Sequence, residues 1–192
     1  GALSDLDTRA GFLPADKAVV FIDNHDLQRG HAGEGVLNYK NGELYDLANV
    51  FMLAWPYGYP KVMSSYQFED GDQGPPESHP ITDGKCSEGW VCEHRRVSRT
   101  GMVGFRKTTE GMPVTNWQPF GDEVISFGRG DQGQVIINIS SETVDGTFAT
   151  EMKAGEYCNV VSANDCTGST VVAGEAGMLH EPRVPERLVV MQ

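Results

Sequence analysis

Between Ala18 and Tyr66 the spacing of apolar residues changes twice, and this limits the folds open to the chain. Ala18-Val-Val-Phe-Ile22 is a short continuous apolar run, the pattern of a strand buried on both faces. From Glu43 to Trp55 the spacing becomes helical, with Leu44, Leu47, Ala48, Phe51, Met52 and Trp55 on one stripe. Pro56 and Gly58 stop that helix, and a second strand-like run follows at Lys61–Tyr66. Strand, helix and strand in so short a span predict a βαβ unit with a right-handed crossover.

The polar stretch 67–89 reads as a long loop, a type that is usually functional or disordered. A helix is expected from Trp90 to Lys107, weakened in its second half by Gly101 and Gly104. After Gly111 the pattern changes. Short β-type runs at 123–128, 134–140, 146–150, 155–162, 169–173 and 186–191 alternate with Gly, Asp, Asn and Ser turns. The segment 129–134 reads as a hairpin loop between two of them. The chain thus divides into α/β at 1–111 and an all-β sandwich or barrel at 112–192.

Composition narrows the partners. Fifteen basic residues against 27 acidic ones give a formal charge of −12, so phosphate backbones and anionic membranes are poor partners. No apolar stretch is long enough to cross a membrane as a helix, and no signal peptide is recognisable. The four cysteines form two close pairs, Cys86/Cys92 and Cys158/Cys166, without CxxC spacing or a completing histidine. Two short disulfides fit this spacing better than zinc and imply an oxidising, extracellular compartment; four buried free thiols are the alternative.

Asp23-Asn24-His25-Asp26 stands at the carboxyl end of the first strand, where parallel α/β folds gather functional side chains. A carboxylate and an imidazole there can bind a polyol or support acid–base chemistry; the same four residues can also simply end the strand and cap the next turn.

The surrounding residues carry a resemblance. Phe21-Ile-Asp-Asn-His-Asp26, continuing into Gln28-Arg29-Gly30-His31, resembles the seventh-strand motif of the α-amylase family of glycoside hydrolases. Pro56 to Tyr66 is similar to the approach to that family's eighth strand. Trp90-Val-Cys-Glu-His-Arg95 resembles the start of its last barrel helix, and Phe127-Gly-Arg-Gly130 lies within its C-terminal β domain. The likeness is nearest to the chloride-dependent animal-type members and their bacterial relatives, and covers only their C-terminal part. It implies the last two β/α units of a (β/α)₈ TIM barrel, followed by an antiparallel Greek-key β-sandwich. A complete barrel needs about 250 residues, more than this chain has.

The resemblance also implies roles. Asp26 corresponds to the carboxylate that stabilises the transition state, His25 to a histidine bonding the same sugar, and His31, beyond Gly30, to a contact with the neighbouring sugar. Asn24 and Lys61 correspond to two of three chloride ligands. Lys61 replaces a common Arg, which implies monodentate and weaker coordination. The substrate class is starch or another α-glucan, the reaction is retaining hydrolysis of α-1,4 bonds, and the full-length protein is expected to be a secreted monomer. Leu27, Ala32 and Glu34 depart from the family pattern in the Gly-rich loop. Retaining hydrolysis needs two carboxyl groups about 5–5.5 Å apart. The family's nucleophile, acid/base and calcium ligands have no counterpart here, so the chain alone is expected to be inactive. A non-catalytic carbohydrate-binding or accessory module is the alternative.

Overall fold

The computed structural model describes residues 3–31, 35–163, 170–173, 178–184 and 188–191. Strand β1, Val19–Val20, pairs in parallel with β2, Tyr59–Pro60, and helix α1, Glu43–Ala54, connects them. The Tyr59 and Lys61 amides donate to the Ala18 and Val20 carbonyls, each at 2.8 Å. Pro60 falls between them, where the ladder needs no donor.

Two expectations for this unit are corrected. The second strand lies at Tyr59–Pro60, not at Lys61–Tyr66. Past Lys61 the backbone bonds turn elsewhere: the Ser65 amide goes to the Glu93 carboxylate and the Ser65 carbonyl to the Val91 amide. Nor is β1 buried on both faces, since Val19 is 57% and Phe21 42% exposed. Ala18, Val20 and Ile22 pack into the core on the helix side, and no described layer covers the opposite face.

The α1 helix ends where Pro56 and Gly58 predict, within one residue. Its buried surface is wider than one stripe, because Tyr45, Leu47, Asn49, Val50, Met52, Leu53 and Ala54 are all covered while Leu44 stays exposed. The stretch 67–89 contains a short hairpin of β3, Ile81–Thr82, and β4, Lys85–Cys86. The helix expected from Trp90 divides into a 3₁₀ turn at Glu93–Arg95 and α2, Val97–Thr108.

The β part comprises two four-stranded antiparallel sheets. One contains β5 (Val114–Phe120), β6 (Val124–Arg129), β7 (Gln134–Asn138) and β12 (Leu188–Met191), in the order β12-β7-β6-β5. The other contains β8 (Val144–Ala149), β9 (Gly155–Cys158), β10 (Thr170–Ala173) and β11 (Met178–Val184), in the order β8-β11-β10-β9. In the second sheet β9, β10 and β11 run as a meander and β8 lies beside β11, a Greek-key arrangement. The loop between β6 and β7 is the expected hairpin, closed by the Arg129 amide on the Gly133 carbonyl at 2.8 Å.

The β6–β7 layer is covered on both faces, which accounts for the unbroken apolar run Val135-Ile-Ile137. Phe127, Val135 and Ile137 face α1 and α2 in one cluster with Val50, Leu53, Trp55, Met102 and Phe105. Val124 and Ile136 face the second sheet, meeting Phe148 and Met152. The core therefore runs without interruption from the βαβ unit into the sandwich.

Two arginines, Arg106 half-buried and Arg129 buried, tie these layers at the α1 C-terminus, where carbonyls lack helical partners and cations are favoured. Arg106 donates to the Met52, Leu53, Trp55 and Gly58 carbonyls at 3.4, 3.3, 2.6 and 2.6 Å. Arg129 donates to the carbonyls of Ala54, of Thr109 at 2.9 Å and of Met112 at 3.1 Å. Burial lowers the Arg129 pKa to about 10, with Arg106 adding to the shift.

Candidate active site

The site is built on the segment leaving β1. The Asn24 side-chain oxygen accepts from the Asp26 and Leu27 amides, each at 2.9 Å, turning the chain sharply out of the strand. A 3₁₀ turn at Leu27–Arg29 follows, and Gly30 closes it in the left-handed region, at φ 83°. That conformation suits glycine. It returns the chain so that the His31 amide donates to the Asp26 carbonyl at 3.1 Å.

Three side chains consequently meet. His25 Nε2 lies 3.6 Å and His31 Nδ1 3.8 Å from the same Asp26 oxygen, Oδ1. All three are exposed, so Asp26 offers a solvent-facing carboxylate between two imidazoles. The sequence-based candidates His25, Asp26, Gly30 and His31 are thus one constellation. The loop residues Ala32 and Glu34 lie outside the described residues.

Beneath it is a buried layer that sequence patterning had not marked as part of the site. Gln28, inside the turn, donates to Ser65 Oγ at 3.4 Å. The Ser65 amide donates to both Glu93 carboxylate oxygens at 3.0 and 2.9 Å, and its hydroxyl also donates to Oε1. Beside it, Arg29 hydrogen-bonds the Tyr66 hydroxyl, and its guanidinium lies 4.7 Å from the Tyr66 ring centroid. Asp72 reaches the far side of His31, with Oδ1 3.9 Å from Nε2. These residues come from a loop and a 3₁₀ turn remote in sequence, so no periodicity marks them.

Asp23 is buried and accepts from the Tyr45 hydroxyl at 2.9 Å. Burial pushes its pKa up to about 6; the Tyr45 bond opposes the shift and the Glu93 carboxylate adds to it. Burial likewise raises the Tyr45 pKa.

Of the two residues expected to hold an anion, Lys61 directly follows β2 and Asn24 lies four residues beyond the end of the parallel neighbour β1. Asn24 spends its carbonyl oxygen on the turn, which leaves the amide nitrogen as its donor to a ligand. Lys61 is exposed, and its ammonium lies 5.1 Å from the centroid of the Tyr59 ring. A cation and an amide donor are chemically suited to chloride. Among the described residues no group of three His, Cys, Asp or Glu is placed to hold a metal ion, and no helix is long and apolar enough to cross a membrane.

Cys86 and Cys92 form a disulfide, as their spacing predicts. Cys158 is disulfide-bonded too, whereas Cys166, its expected partner, lies outside the described residues.

Residues 115–190 match the family described as "Alpha amylase, C-terminal all-beta domain". The chain is 40% identical to human α-amylase 1B over 88% of its length and spans 38% of that relative; human α-amylase 2B matches to the same extent. It therefore covers well under half the length of the curated relatives it matches. Among solved structures, α-amylase I from Eisenia fetida superposes with a TM-score of 0.80 at 34% identity, covering 91% of this chain and 41% of that one. A mutant of the same enzyme in complex with maltohexaose gives a TM-score of 0.82 at 31% identity, covering 100% of this chain and 47% of that one.

Proposed function

We propose that this chain, which belongs to the α-amylase family, supplies the sugar-holding side of the cleavage site in a starch-degrading enzyme. The observation that carries this reading is the convergence of His25 and His31 on Asp26 Oδ1 at the end of a parallel strand. In retaining glycoside hydrolysis the transition state resembles an oxocarbenium ion. A carboxylate held beside it stabilises the developing charge and accepts hydrogen bonds from ring hydroxyls. Asp26 takes that part. His25 bonds the same sugar, and His31, carried round by Gly30, reaches its neighbour. The ligand is a linear α-1,4-glucan, the class suggested by the maltohexaose bound to the Eisenia fetida enzyme.

Residues 1–111 then supply the seventh and eighth β/α units of a (β/α)₈ barrel, and 112–192 its C-terminal sandwich. Asn24 and Lys61 would contribute two chloride ligands, and the anion's charge would raise the pKa of a nearby carboxylic acid and so keep the general acid protonated. The nucleophile, the acid/base and the calcium ligands come from outside this chain. The bridge between Cys86 and Cys92 fits an extracellular enzyme, and the full-length protein acts as a monomer.

The test compares the purified 192-residue chain with the product of the whole reading frame that encodes it. The longer product is expected to release reducing sugar from starch in a chloride-dependent manner, and the chain alone to release none. Hydrolysis by the chain alone, or a longer product that only binds starch, would overturn the reading. The second outcome would favour a carbohydrate-binding module.

A further inference from the structure

We propose that Glu93 is a positioning residue for Asp26 and His31, acting through Ser65 and Gln28. Glu93 and Ser65 are both completely buried and Gln28 nearly so. A carboxylate withdrawn from water in this way is costly unless its oxygens are hydrogen-bonded. Here they accept three bonds from a single residue, Ser65, through its amide and its hydroxyl. That is an unusual concentration of acceptor strength on one point of an otherwise irregular segment.

Ser65 passes this anchoring on. Its hydroxyl hydrogen is committed to Glu93, so its lone pairs accept the Gln28 side-chain amide. Gln28 stands in the middle of the 3₁₀ turn, with its own amide on the Asn24 carbonyl at 3.0 Å. Just after it, the Arg29 and His31 amides both donate to the Asp26 carbonyl at 3.1 Å. The floor of the turn that holds the carboxylate and the distal imidazole is thus pinned at its centre. The next residue of the same segment, Tyr66, pins Arg29. The Glu93 backbone is itself fixed by the adjacent Cys92, which is disulfide-bonded to Cys86. A chain of contacts therefore leads from a disulfide-braced turn, through a buried carboxylate, to the exposed cluster.

This inference rests on the amylase reading of Asp26 and His31 for its consequence in activity, but its physical core can be tested without activity. Ser65→Ala removes the hydroxyl relay and leaves the Ser65 amide on Glu93, so the bond that holds the segment survives. In the 192-residue chain, this variant is expected to speed amide hydrogen exchange at Arg29 and His31 by about tenfold or more, with α1 amides unchanged. Glu93→Gln keeps an acceptor for the Ser65 amide and hydroxyl and is expected to have a smaller effect. In the active longer protein, Ser65→Ala is expected to lower kcat on starch by about 10- to 100-fold, the scale on which small misplacements of reacting groups cost rate. The melting temperature should fall by only about 2–8 °C, the cost of one buried hydroxyl partner lost to Gln28 and Glu93. Exchange that stays at the wild-type rate, or rises uniformly across the chain, would overturn the proposal. So would an active wild type whose Ser65→Ala variant keeps its kcat. A wild-type product without amylase activity but with localised exchange in the variant would sink the amylase reading and leave the anchoring intact.

Discussion

Replacing Arg129 by Met keeps a long apolar stem in the place of the buried arginine and removes its three carbonyl partnerships. Those carbonyls belong to Ala54 at the end of α1, Thr109 at the end of α2, and Met112 in the connection to β5. Leaving a buried carbonyl unpaired costs about 1–3 kcal/mol. Against this, the variant no longer buries a guanidinium. Burial lowers the Arg129 pKa to about 10, which puts that recovered cost on the order of 3 kcal/mol. The Ala54 and Met112 carbonyls lose their arginine donor, while Thr109 keeps the Met112 amide at 3.0 Å. The losses still exceed the recovery, and a net destabilisation of about 2 kcal/mol is expected, which for a chain of this size lowers the melting temperature by about 4–8 °C. Urea unfolding followed by tryptophan fluorescence reads it directly, because Trp55 and Trp117 sit in the same core as Phe127. Arg129→Lys, with one ammonium in place of a fork, should fall between wild type and the Met variant. A loss below about 1 kcal/mol at unchanged m-value would show that the clamp does not hold the layers together.

The two glycines of α2 should respond in opposite directions. A Cβ on Gly101 would stand 1.8 Å from the Val160 carbonyl oxygen, whereas one on Gly104 meets nothing within 4 Å. Gly104→Ala is therefore expected to stabilise by about 0.5–1 kcal/mol through helix propensity, and Gly101→Ala to destabilise by at least about 2 kcal/mol; equal effects in denaturant titration would count against the close packing of α2 on the Val160 turn. Asp23 makes a pH prediction. Its carboxyl titrates near 3.8 unfolded and about 6 folded, so the folded state holds the proton more tightly. The associated stability is complete below about pH 3.8 and is lost as pH rises to about 6, up to about 3 kcal/mol. Subtracting the stability profile of Asp23→Asn from that of wild type should expose this fall, and a flat difference between pH 4 and 6 would contradict it.

How much of this was legible in the sequence differs by element. The α1 helix could be bounded because Pro56 and Gly58 end it and a helical spacing precedes them. β6 and β7 could be found because they are apolar and separated by a short polar turn. β5 could not. Its register breaks between Thr115 and Gln118, Asn116 has φ 51°, and Pro119 interrupts a run of mixed polar and apolar residues. β11 is similarly mixed, and Pro182 falls where its register shifts, between Glu181 and Val184. Both gain their strand character from neighbours, not from their own composition.

The site divides in the same way. Asp26, His25 and His31 are close in sequence and recognisable as a motif, and the Gly30 turn brings them together. Ser65 and Glu93 carry no local pattern that links them to Gln28; only the fold makes them neighbours. The same holds for Arg129, though its flanks offered a sign. A Cβ on Gly128 would come within 2.5 Å of Thr115 Oγ1, and Gly130 has φ 53°, so the backbone on both sides of the arginine admits little else.

The central claim is that Asp26 stabilises the transition state of glucan cleavage. Its most direct test is kcat on starch for Asp26→Asn in the product of the whole reading frame. Asn keeps the shape and loses the charge. The account predicts a fall of about 10²–10³-fold or more at an unchanged melting temperature. A variant that retains wild-type kcat would contradict it.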